Sequence, residues 1–323
     1  MGARVLHNLS QCRLCGMSFL CLVVVCLAAR ADITLDLAYI GDPGNTADDT
    51  GFGAVSYPYY ISTYEVTVAQ YVEFLNSVAQ SDPYGLYSSS MASDPLGPSI
   101  LRSGSDGSYA YTAVSGTEGQ PVRWVSWYDG LRLCNWLSNG QGTSSTETGS
   151  YDMAEGAWTL RGSNATWVLP TEDEWYKAAY YDPATGTYYD YPNGTDDVPP
   201  EPMDETTPRT MNFGDDPYWQ GGVYFTSTGQ TTGASPYGTY DQGGNVREWM
   251  ETRSVQFPDH MIRGGAFTEP AMFLYSGTTQ GTDPDTEGYI GFRLIYIIPE
   301  PSTVALLFLG LLGCALRWTR WQA

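Results

Sequence analysis

Residues 121–140, PVRWVSWYDGLRLCNWLSNG, are the stretch that decides the fold. Ser126 has the preferred chemistry of a helix N-cap, and Asp129 stands at the third helical position, where a carboxylate suits the helix N-terminus. Leu133 and Trp136 follow at a spacing that places them on one buried face of a helix. The pattern predicts a short strand followed by a helix.

Two further segments, one on each side, carry a related start signal. Thr67 with Gln70, and Thr171 with Glu174, match the capping box, in which side chains and backbone N–H groups bond reciprocally. Behind the first pair, apolar residues recur at the spacing of a helix face. The predicted helices lie near residues 67–79, 127–138 and 172–181.

The rest of the core consists of short extended segments and long turn-rich segments. Residues 32–60 alternate in polarity and predict strands, and short strands are expected within residues 245–296. Residues 81–120 are rich in Ser, Gly, Asp and Pro and are predicted to be mostly loop, and residues 182–240 are turn-rich and acidic. Few helices, short strands and long ordered loops predict one irregular α+β domain over residues 32–298.

The composition excludes several classes of protein. The chain has 323 residues, with 36 acidic and 15 basic side chains and a formal net charge of −21. Such an acidic chain lacks the clustered Lys and Arg that hold nucleic acid by its phosphates, so we expect no nucleic-acid partner. Hydrophobic residues make up 42%, which excludes a disordered protein. Two histidines exclude a metal site built from several of them.

The first 31 residues are predicted to be a secretory signal peptide. An apolar run at residues 17–28 follows a positively charged start, and ARA at residues 29–31 has the form of a cleavage site. A membrane anchor is the alternative, but the run is shorter than the ~20 residues of a membrane span. Cys26 raises the alternative of a lipoprotein, although three valines before it make a poor lipoprotein signal.

The C-terminus carries a more specific pattern. Pro299, Glu300 and Pro301 precede an apolar run at residues 303–316, and arginines follow. Together these features resemble the PEP-CTERM sorting tail of bacterial envelope proteins. The resemblance implies recognition of residues 299–323 by an exosortase-type membrane enzyme and cleavage near Pro-Glu-Pro. It also implies a precursor held transiently at the membrane, and delivery to the cell surface or extracellular matrix of a bacterium.

Most of the cysteines lie in the two end segments and not in the predicted core. Four of the six cysteines lie in the predicted signal peptide and one in the tail, which leaves Cys134 in the core. Since Cys134 falls inside a predicted helix, we expect it to be a core residue. An exported protein without a disulfide must be stabilised by its core and by bound ions, and about 270 residues suffice for such a core.

Six segments of the core occur in one order that is typical of a known family. They are YEVTVAQYVEFLN, PVRWVSWYDGLRLCNWL, LPTEDEWYKAA, YGTYDQGGNVREW, RGGAF and GFRL. Together they resemble the formylglycine-generating enzyme (sulfatase-modifying factor) superfamily over about residues 35–297. The resemblance implies a variant of the C-type-lectin-like fold with bound calcium.

The redox chemistry of that family is not expected here. The copper-dependent oxidases of the family carry two cysteines shortly after the RGG motif, and thiolates are the ligands that suit Cu(I). Residues 263–275, RGGAFTEPAMFLY, contain no cysteine. Other members bind iron through three histidines, whereas this core contains only His260. We therefore expect no copper, no iron and no formylglycine-generating oxidase activity.

Calcium is the cofactor that the resemblance implies, because oxygen ligands from a tight glycine-containing loop suit this ion. The alternative for Asp241 and Asn245 is ordinary turn chemistry, since both residue types stabilise turns through their own backbone. A first site is predicted from Asp241, Gly244, Asn245, Val246 and Glu248. A second site is predicted from Asn212 and the Phe213 carbonyl, with Asp215 or Asp216 as the acidic partner.

Three functions remain open. A surface or matrix protein with a glycan or peptide ligand is favoured, because loops on a rigid scaffold carry recognition and the chain is rich in aromatic residues. An enzyme of unknown chemistry is the second candidate, although Glu172, Asp173 and Glu174 suit the first turn of a helix better than a catalytic pair. A sulfatase maturation factor is the third, and the missing cysteines argue against it.

Overall fold

The computed structural model describes residues 32–200, 208–214, 224–255 and 259–298. The chain divides into two compact units, Met1–Ala31 and Asp32–Ala323, and every described residue belongs to the second unit. The predicted signal peptide, the sorting tail with Pro299, Glu300 and Pro301, and the acidic pair Asp215 and Asp216 lie outside the described residues.

All three predicted helices are confirmed, within a residue or two at each end. The α-helices of the described ranges are α1 Val68–Val78, α2 Ser90–Ser93, α3 Trp127–Ser138 and α4 Glu172–Tyr180, and two 3₁₀ helices lie at Met153–Trp158 and Ala271–Phe273. Thr67, Ser126 and Thr171 cap α1, α3 and α4, and each cap is a complete capping box. The local hydrogen bonds of each start signal therefore explain why the predicted helices begin where they do.

The strands are short and come from distant parts of the chain. They are β1 Leu37–Ile40, β2 Tyr59–Ser62, β3 Ile100–Ser103, β4 Ala110–Ala113, β5 Trp167–Val168, β6 Tyr181–Asp182, β7 Thr187–Tyr188, β8 Arg247–Arg253, β9 His260–Arg263, β10 Gln280–Thr282, β11 Ile290–Gly291 and β12 Ile295–Ile297. One sheet has the order β1-β2-β12-β5, and a second has the order β10-β9-β8-β11. β3–β4 and β6–β7 form two-stranded sheets.

The first sheet joins the two ends of the domain. β12 pairs antiparallel with β2, so that Ile295 lies opposite Ile61, and both side chains are fully buried. In the second sheet, β11 pairs parallel with β8 while the other pairs are antiparallel. This arrangement of small sheets and four helices confirms the predicted irregular α+β fold.

One local prediction was confirmed with an addition, and another was wrong. Residues 81–120 are mostly loop, as predicted, but they also contain α2 and the β3–β4 hairpin, in which Ile100 and Tyr111 bury their side chains in the core. The strand expected just before α3 does not form. Only an isolated bridge between Thr67 and Pro121 occurs there, and Trp124 has a left-handed backbone with φ of 60° that interrupts an extended chain.

The core is built around α1, α3 and the first sheet. Phe74 of α1 contacts Trp136 of α3 with ring centroids 5.3 Å apart. Cys134 is fully buried in the same cluster, as the sequence predicted. Within the described ranges, no helix has the length and apolar character needed to cross a membrane.

Candidate functional site

The loop at residues 241–246 connects three separate parts of the chain. The Gly244 N–H donates to Gly264 O at 2.8 Å, and the Asn245 N–H donates to Asn212 O at 2.8 Å. Gly244 has φ of +85°, and a Cβ atom there would lie 1.9 Å from Asn212 O. Only glycine fits this position, so the close approach of the two loops depends on Gly244.

Glu248, a predicted calcium ligand, lies in a buried ion pair. Its carboxylate accepts hydrogen bonds from Arg293 Nε at 2.6 Å, Arg293 Nη2 at 2.7 Å and Trp175 Nε1 at 2.8 Å. Both side chains of the ion pair have no solvent exposure. Both oxygens of Glu248 are therefore occupied by protein donors. The GFRL motif supplies the partner of the Glu in NVREW, which the sequence alone did not reveal.

Asp241, the other predicted carboxylate ligand, stabilises a turn. Its carboxylate accepts hydrogen bonds from the Gly229 N–H and from Thr231 Oγ1, both at 2.6 Å. Asp241 and Asn245 have φ of 57° and 59°, the left-handed region that Asp and Asn tolerate better than most residues. Burial raises the pKa of the Asp241 carboxyl, and the two hydrogen bonds oppose that shift. The left-handed φ values match the turn alternative, but the hydrogen bonds of the Asp241 side chain go to Gly229 and Thr231 of a separate loop and not to its own backbone.

An oxygen-rich cluster lies where the two predicted calcium sites meet, and we call its members Glu65, Asn212, Thr226 and Asn245 the Asn cluster. The Asn245 amide donates to Thr226 O at 3.3 Å and to Glu65 Oε2 at 3.4 Å. The Asn212 amide donates to Asn245 Oδ1 at 3.3 Å. All four residues are buried. The structure thus places one residue of each predicted site side by side.

Two atoms of the Asn cluster lack a partner. Glu65 Oε1 and Thr226 Oγ1 are buried and accept no hydrogen bond from any described residue. Burial, followed by the charges of Asp241 and Glu248, raises the pKa of Glu65 well above its ordinary value. The charge of Arg293 and a hydrogen bond from the Val246 backbone partly oppose that shift. A buried oxygen without a partner is costly, so a bound cation at these atoms would lower that cost.

The donor set of the Asn cluster fits a calcium ion. It offers a carboxylate, a hydroxyl, a backbone carbonyl and two amide groups, and Ca²⁺ binds oxygens of these kinds. An amide presents oxygen in place of nitrogen after a half-turn of its end, so each Asn can offer an oxygen here. Among the described residues no three His, Cys, Asp or Glu side chains form a metal-binding group. Any calcium there would therefore depend on amide and carbonyl ligands.

The sequence reasoning missed Glu65. The residue stands between Tyr64 and Val66 in the YEVT segment, just ahead of α1, and its backbone neighbour Val66 is fully buried. An acidic residue among apolar neighbours at a strand-to-helix junction is the signal that could have identified it. Of the second predicted site, Asn212 and Phe213 are buried, while Asp215 and Asp216 are not described.

Cys134 and His260, whose side chains are of the kinds that bind redox metals, lie outside the Asn cluster. Cys134 is buried in α3, and burial raises the pKa of its thiol well above the ordinary value, which makes a reactive thiolate unfavourable. His260 stacks on Trp127 with ring centroids 3.7 Å apart, and burial lowers its pKa to about 4. Both side chains serve the core.

Arg247 follows Val246 in the NVREW segment and begins β8. Its guanidinium forms a two-pronged ion pair with Glu269, with Nε at 2.9 Å from Oε2. Glu269 also accepts from the Ala266 N–H at 2.9 Å, so the pair ties the NVREW strand to the RGGAF turn.

The fold and this loop define an irregular α+β protein of the C-type-lectin-like kind. Residues 52–298 match the family described as the sulfatase-modifying factor enzyme 1-like domain, and the chain belongs to this family. Residues 298–320 match the PEP-CTERM protein-sorting motif. The sorting motif indicates an exported bacterial protein that is held at the membrane for sorting by exosortase-type machinery to the cell surface.

Solved structures show the same fold. The structure described as "Crystal Structure of CarF" is similar with a TM-score of 0.55 and 20% identity, over 82% of this chain and 99% of that chain. Treponema denticola variable protein 1 is similar with a TM-score of 0.50 and 18% identity, over 80% of this chain and 94% of that one. At these identities the likeness concerns the fold alone. No curated protein matches the sequence.

Proposed function

We propose that this protein is a calcium-stabilised binding domain displayed on the bacterial surface or in the extracellular matrix, without the oxidase chemistry of its family. The observation that carries the proposal is the segment after Arg263, where the oxidases hold copper. Residues 263–275 contain no thiol, and the single core cysteine, Cys134, is buried in α3. A scaffold that keeps the fold and has no thiolate for Cu(I) retains its loops for recognition.

Export supports this role. The sorting motif supports a location of the folded domain outside the cell, where glycans and peptides are the available ligands. A cleaved signal peptide at residues 1–31 and cleavage of the tail near Pro299–Pro301 belong to the same proposal. The large acidic excess disfavours nucleic acid as a partner.

Calcium is proposed as a structural ligand of the Asn cluster. The buried oxygens of Glu65 and Thr226 without partners support this placement over one between Asp241 and Glu248, whose oxygens already accept hydrogen bonds from the protein. A cation at the Asn cluster would also offset the repulsion between Glu65 and its two acidic neighbours, Asp241 and Glu248.

The proposal is tested by two assays on one preparation of the purified protein. With Cu(I) and a Cys-x-Pro-x-Arg peptide, we expect no conversion to formylglycine above the rate without enzyme. On arrays of surface glycans and peptides, we expect saturable binding. Copper-dependent turnover would overturn the absence of oxidase chemistry, and an array without any bound ligand would overturn the binding role.

A further inference from the structure

A surface groove lies beside the first turn of α4 and the end of β8. It has a volume of about 540 Å³, in the range of ~300–1,000 Å³ found for small-ligand sites. The lining residues are Trp158, Leu160, Thr171, Glu251, Thr252, Arg253 and Ser254. We call this feature the Trp158 groove.

The apolar wall of the groove is exposed. Trp158 is 58% exposed and Leu160 is 54% exposed. Four other tryptophans, namely Trp127, Trp136, Trp175 and Trp249, are at most 1% exposed. The Arg253 guanidinium stacks over the indole of Trp158, 4.6 Å from the ring centroid. The cation thus covers part of the indole, and Trp158 still exposes more than half of its surface to solvent.

Arg253 is a cation without an acidic partner in the described part of the chain. Six arginines form ion pairs with carboxylates there: Arg123, Arg132, Arg161, Arg247, Arg263 and Arg293. The chain has more than twice as many acidic as basic residues, so an arginine without a carboxylate partner is unexpected here. The guanidinium keeps its planar set of donors for an external acceptor.

The carboxylate of the groove, Glu251, pairs with Arg161 and not with Arg253. Glu251 Oε2 accepts from Tyr151 Oη at 2.7 Å and from Arg161 Nε at 2.6 Å. Arg161 in turn pairs with Glu174 at 2.9 Å. Glu251 therefore shares Arg161 with Glu174 and forms no ion pair with Arg253 among the described residues, and its hydrogen bonds hold this wall of the groove in place.

We propose that the Trp158 groove binds a sugar ring that carries a carboxylate. The exposed indole stacks against the apolar C–H face of the ring, and the Arg253 guanidinium binds the carboxylate through two parallel hydrogen bonds. Thr252 Oγ1 accepts from the Glu172 N–H at 2.8 Å, which leaves its hydroxyl hydrogen directed to another acceptor such as a ring hydroxyl. The inference rests on the proposed binding function and names its site and ligand class.

The test measures binding of a galacturonic acid trisaccharide by titration calorimetry, with its methyl ester as the matched ligand that keeps the rings and removes the charge. We expect the purified protein to bind the acid at least tenfold more tightly than the ester. Trp158→Ala weakens binding of both ligands at least tenfold. Arg253→Gln weakens binding of the acid at least tenfold, so that the acid no longer binds more tightly than the ester.

The matched control is Arg102→Gln. Arg102 also stacks on aromatic rings, Tyr87 at 4.7 Å and Tyr109 at 4.4 Å, but it lies outside the groove, so this variant should bind like the wild type. Melting curves of every variant confirm that each is folded. Equal binding of acid and ester, or no binding of either, overturns the inference.

A further outcome separates the inference from the proposed function. If the protein binds a ligand on the arrays and neither Trp158→Ala nor Arg253→Gln alters that binding, the binding role stands and the Trp158 groove is the wrong site. If only an acidic peptide competes for the groove, the sugar assignment is wrong. If the arrays show no ligand at all, the proposed function fails first.

Discussion

Lys177 is the only lysine in the chain, and its side chain is fully buried in α4. The ammonium group donates a hydrogen bond to Asp42 O at 2.7 Å and lies 5.7 Å from the centroid of the Tyr181 ring. No carboxylate among the described residues forms an ion pair with it. Burial lowers the pKa of Lys177 to about 8, and the charge of Asp42 partly offsets this. The residue is a charge that the fold tolerates.

Replacing Lys177 by Met tests how much the buried ammonium group lowers the stability of the fold. A lysine whose pKa is lower in the folded than in the unfolded protein, near 10.4 for an unperturbed lysine, destabilises the fold below pH 8. That penalty disappears as the pH rises from about 8 to about 10.4. We therefore expect the melting temperature of the wild type to rise relative to that of Lys177→Met between pH 7.5 and pH 10.

The comparison of the two proteins at each pH removes the titration of the many tyrosines, which is common to both. Parallel melting curves across this pH interval would show that the ammonium group has an ordinary pKa. Lys177→Arg serves as the control that keeps a charge at every pH in the interval.

In the buried Glu248–Arg293 ion pair, unlike at Lys177, each charged residue is stabilised by the other. Removing Arg293 by substitution with Met leaves Glu248 buried with Trp175 as its remaining donor. Breaking a buried pair on one side costs about 3–5 kcal/mol of unfolding free energy. We expect Arg293→Met to lose this much in urea denaturation, and Arg293→Met with Glu248→Gln to recover part of it. A double variant that is less stable than the single one would contradict this account.

At the level of single elements, the helices depend on their first turns. Thr67, the cap of α1, accepts from the Gln70 N–H at 3.3 Å, and Gln70 Oε1 accepts from the Thr67 N–H at 2.8 Å. α1 has 11 residues, too few for an isolated helix to be stable in water. Its cap and its buried face of Tyr71, Phe74 and Leu75 must act together.

Substituting the cap of α1 gives a measurable effect. Thr67→Ala should cost about 1 kcal/mol of unfolding free energy, with a fall in melting temperature of about 2–4 °C for a domain of this size. Thr67→Ser keeps the hydroxyl and should remain within about 0.5 kcal/mol of the wild type, measured in the same urea titration. Equal losses for Ala and Ser would mean that the methyl group of Thr67, and not the cap, stabilises α1.

The elements also show which predictions sequence reasoning could reach. Capping boxes and the helical period are contained in ten or so neighbouring residues, so α1, α3 and α4 were predicted with their ends. The β3–β4 hairpin was missed because its strands have four residues each and only Ile100 and Tyr111 face the core. In such short strands the polarity pattern is too weak to predict pairing.

For the whole molecule, calcium is the ligand whose effect on stability can be measured directly. A ligand that binds only the folded state at 100 times its dissociation constant adds about 2.7 kcal/mol, which raises the melting temperature by several degrees. We expect Ca²⁺ to raise the melting temperature of the purified protein more than Mg²⁺ does, because Mg²⁺ gives up its water reluctantly. EDTA should reverse the gain.

Substitutions of the proposed ligands test which residues bind the calcium ion. Asn212→Ala should abolish the calcium response, and Asp241→Ala with Glu248→Ala tests the first predicted set in parallel. Asn139→Ala is the matched control, since Asn139 is an exposed residue that binds Ser145 O and Thr148 O. A response lost only in the Asp241 and Glu248 double variant would return the ion to that loop. A melting temperature unaffected by EDTA would leave Asp241 and Asn245 as ordinary turn residues.

The sequence by itself determined the helices, the family, the sorting tail and the absence of thiols after Arg263, because each of these is written in neighbouring residues. Only the tertiary structure decided which side chains meet. Glu65 lies 180 residues from Asn245 and Asn212 lies 33 residues from it, yet all three share one buried cluster. Glu248 and Arg293, which are 45 residues apart in the sequence, likewise meet in a buried ion pair. Hydrogen bonds between such distant residues follow from how the loops pack around Gly244, and no local pattern records that packing.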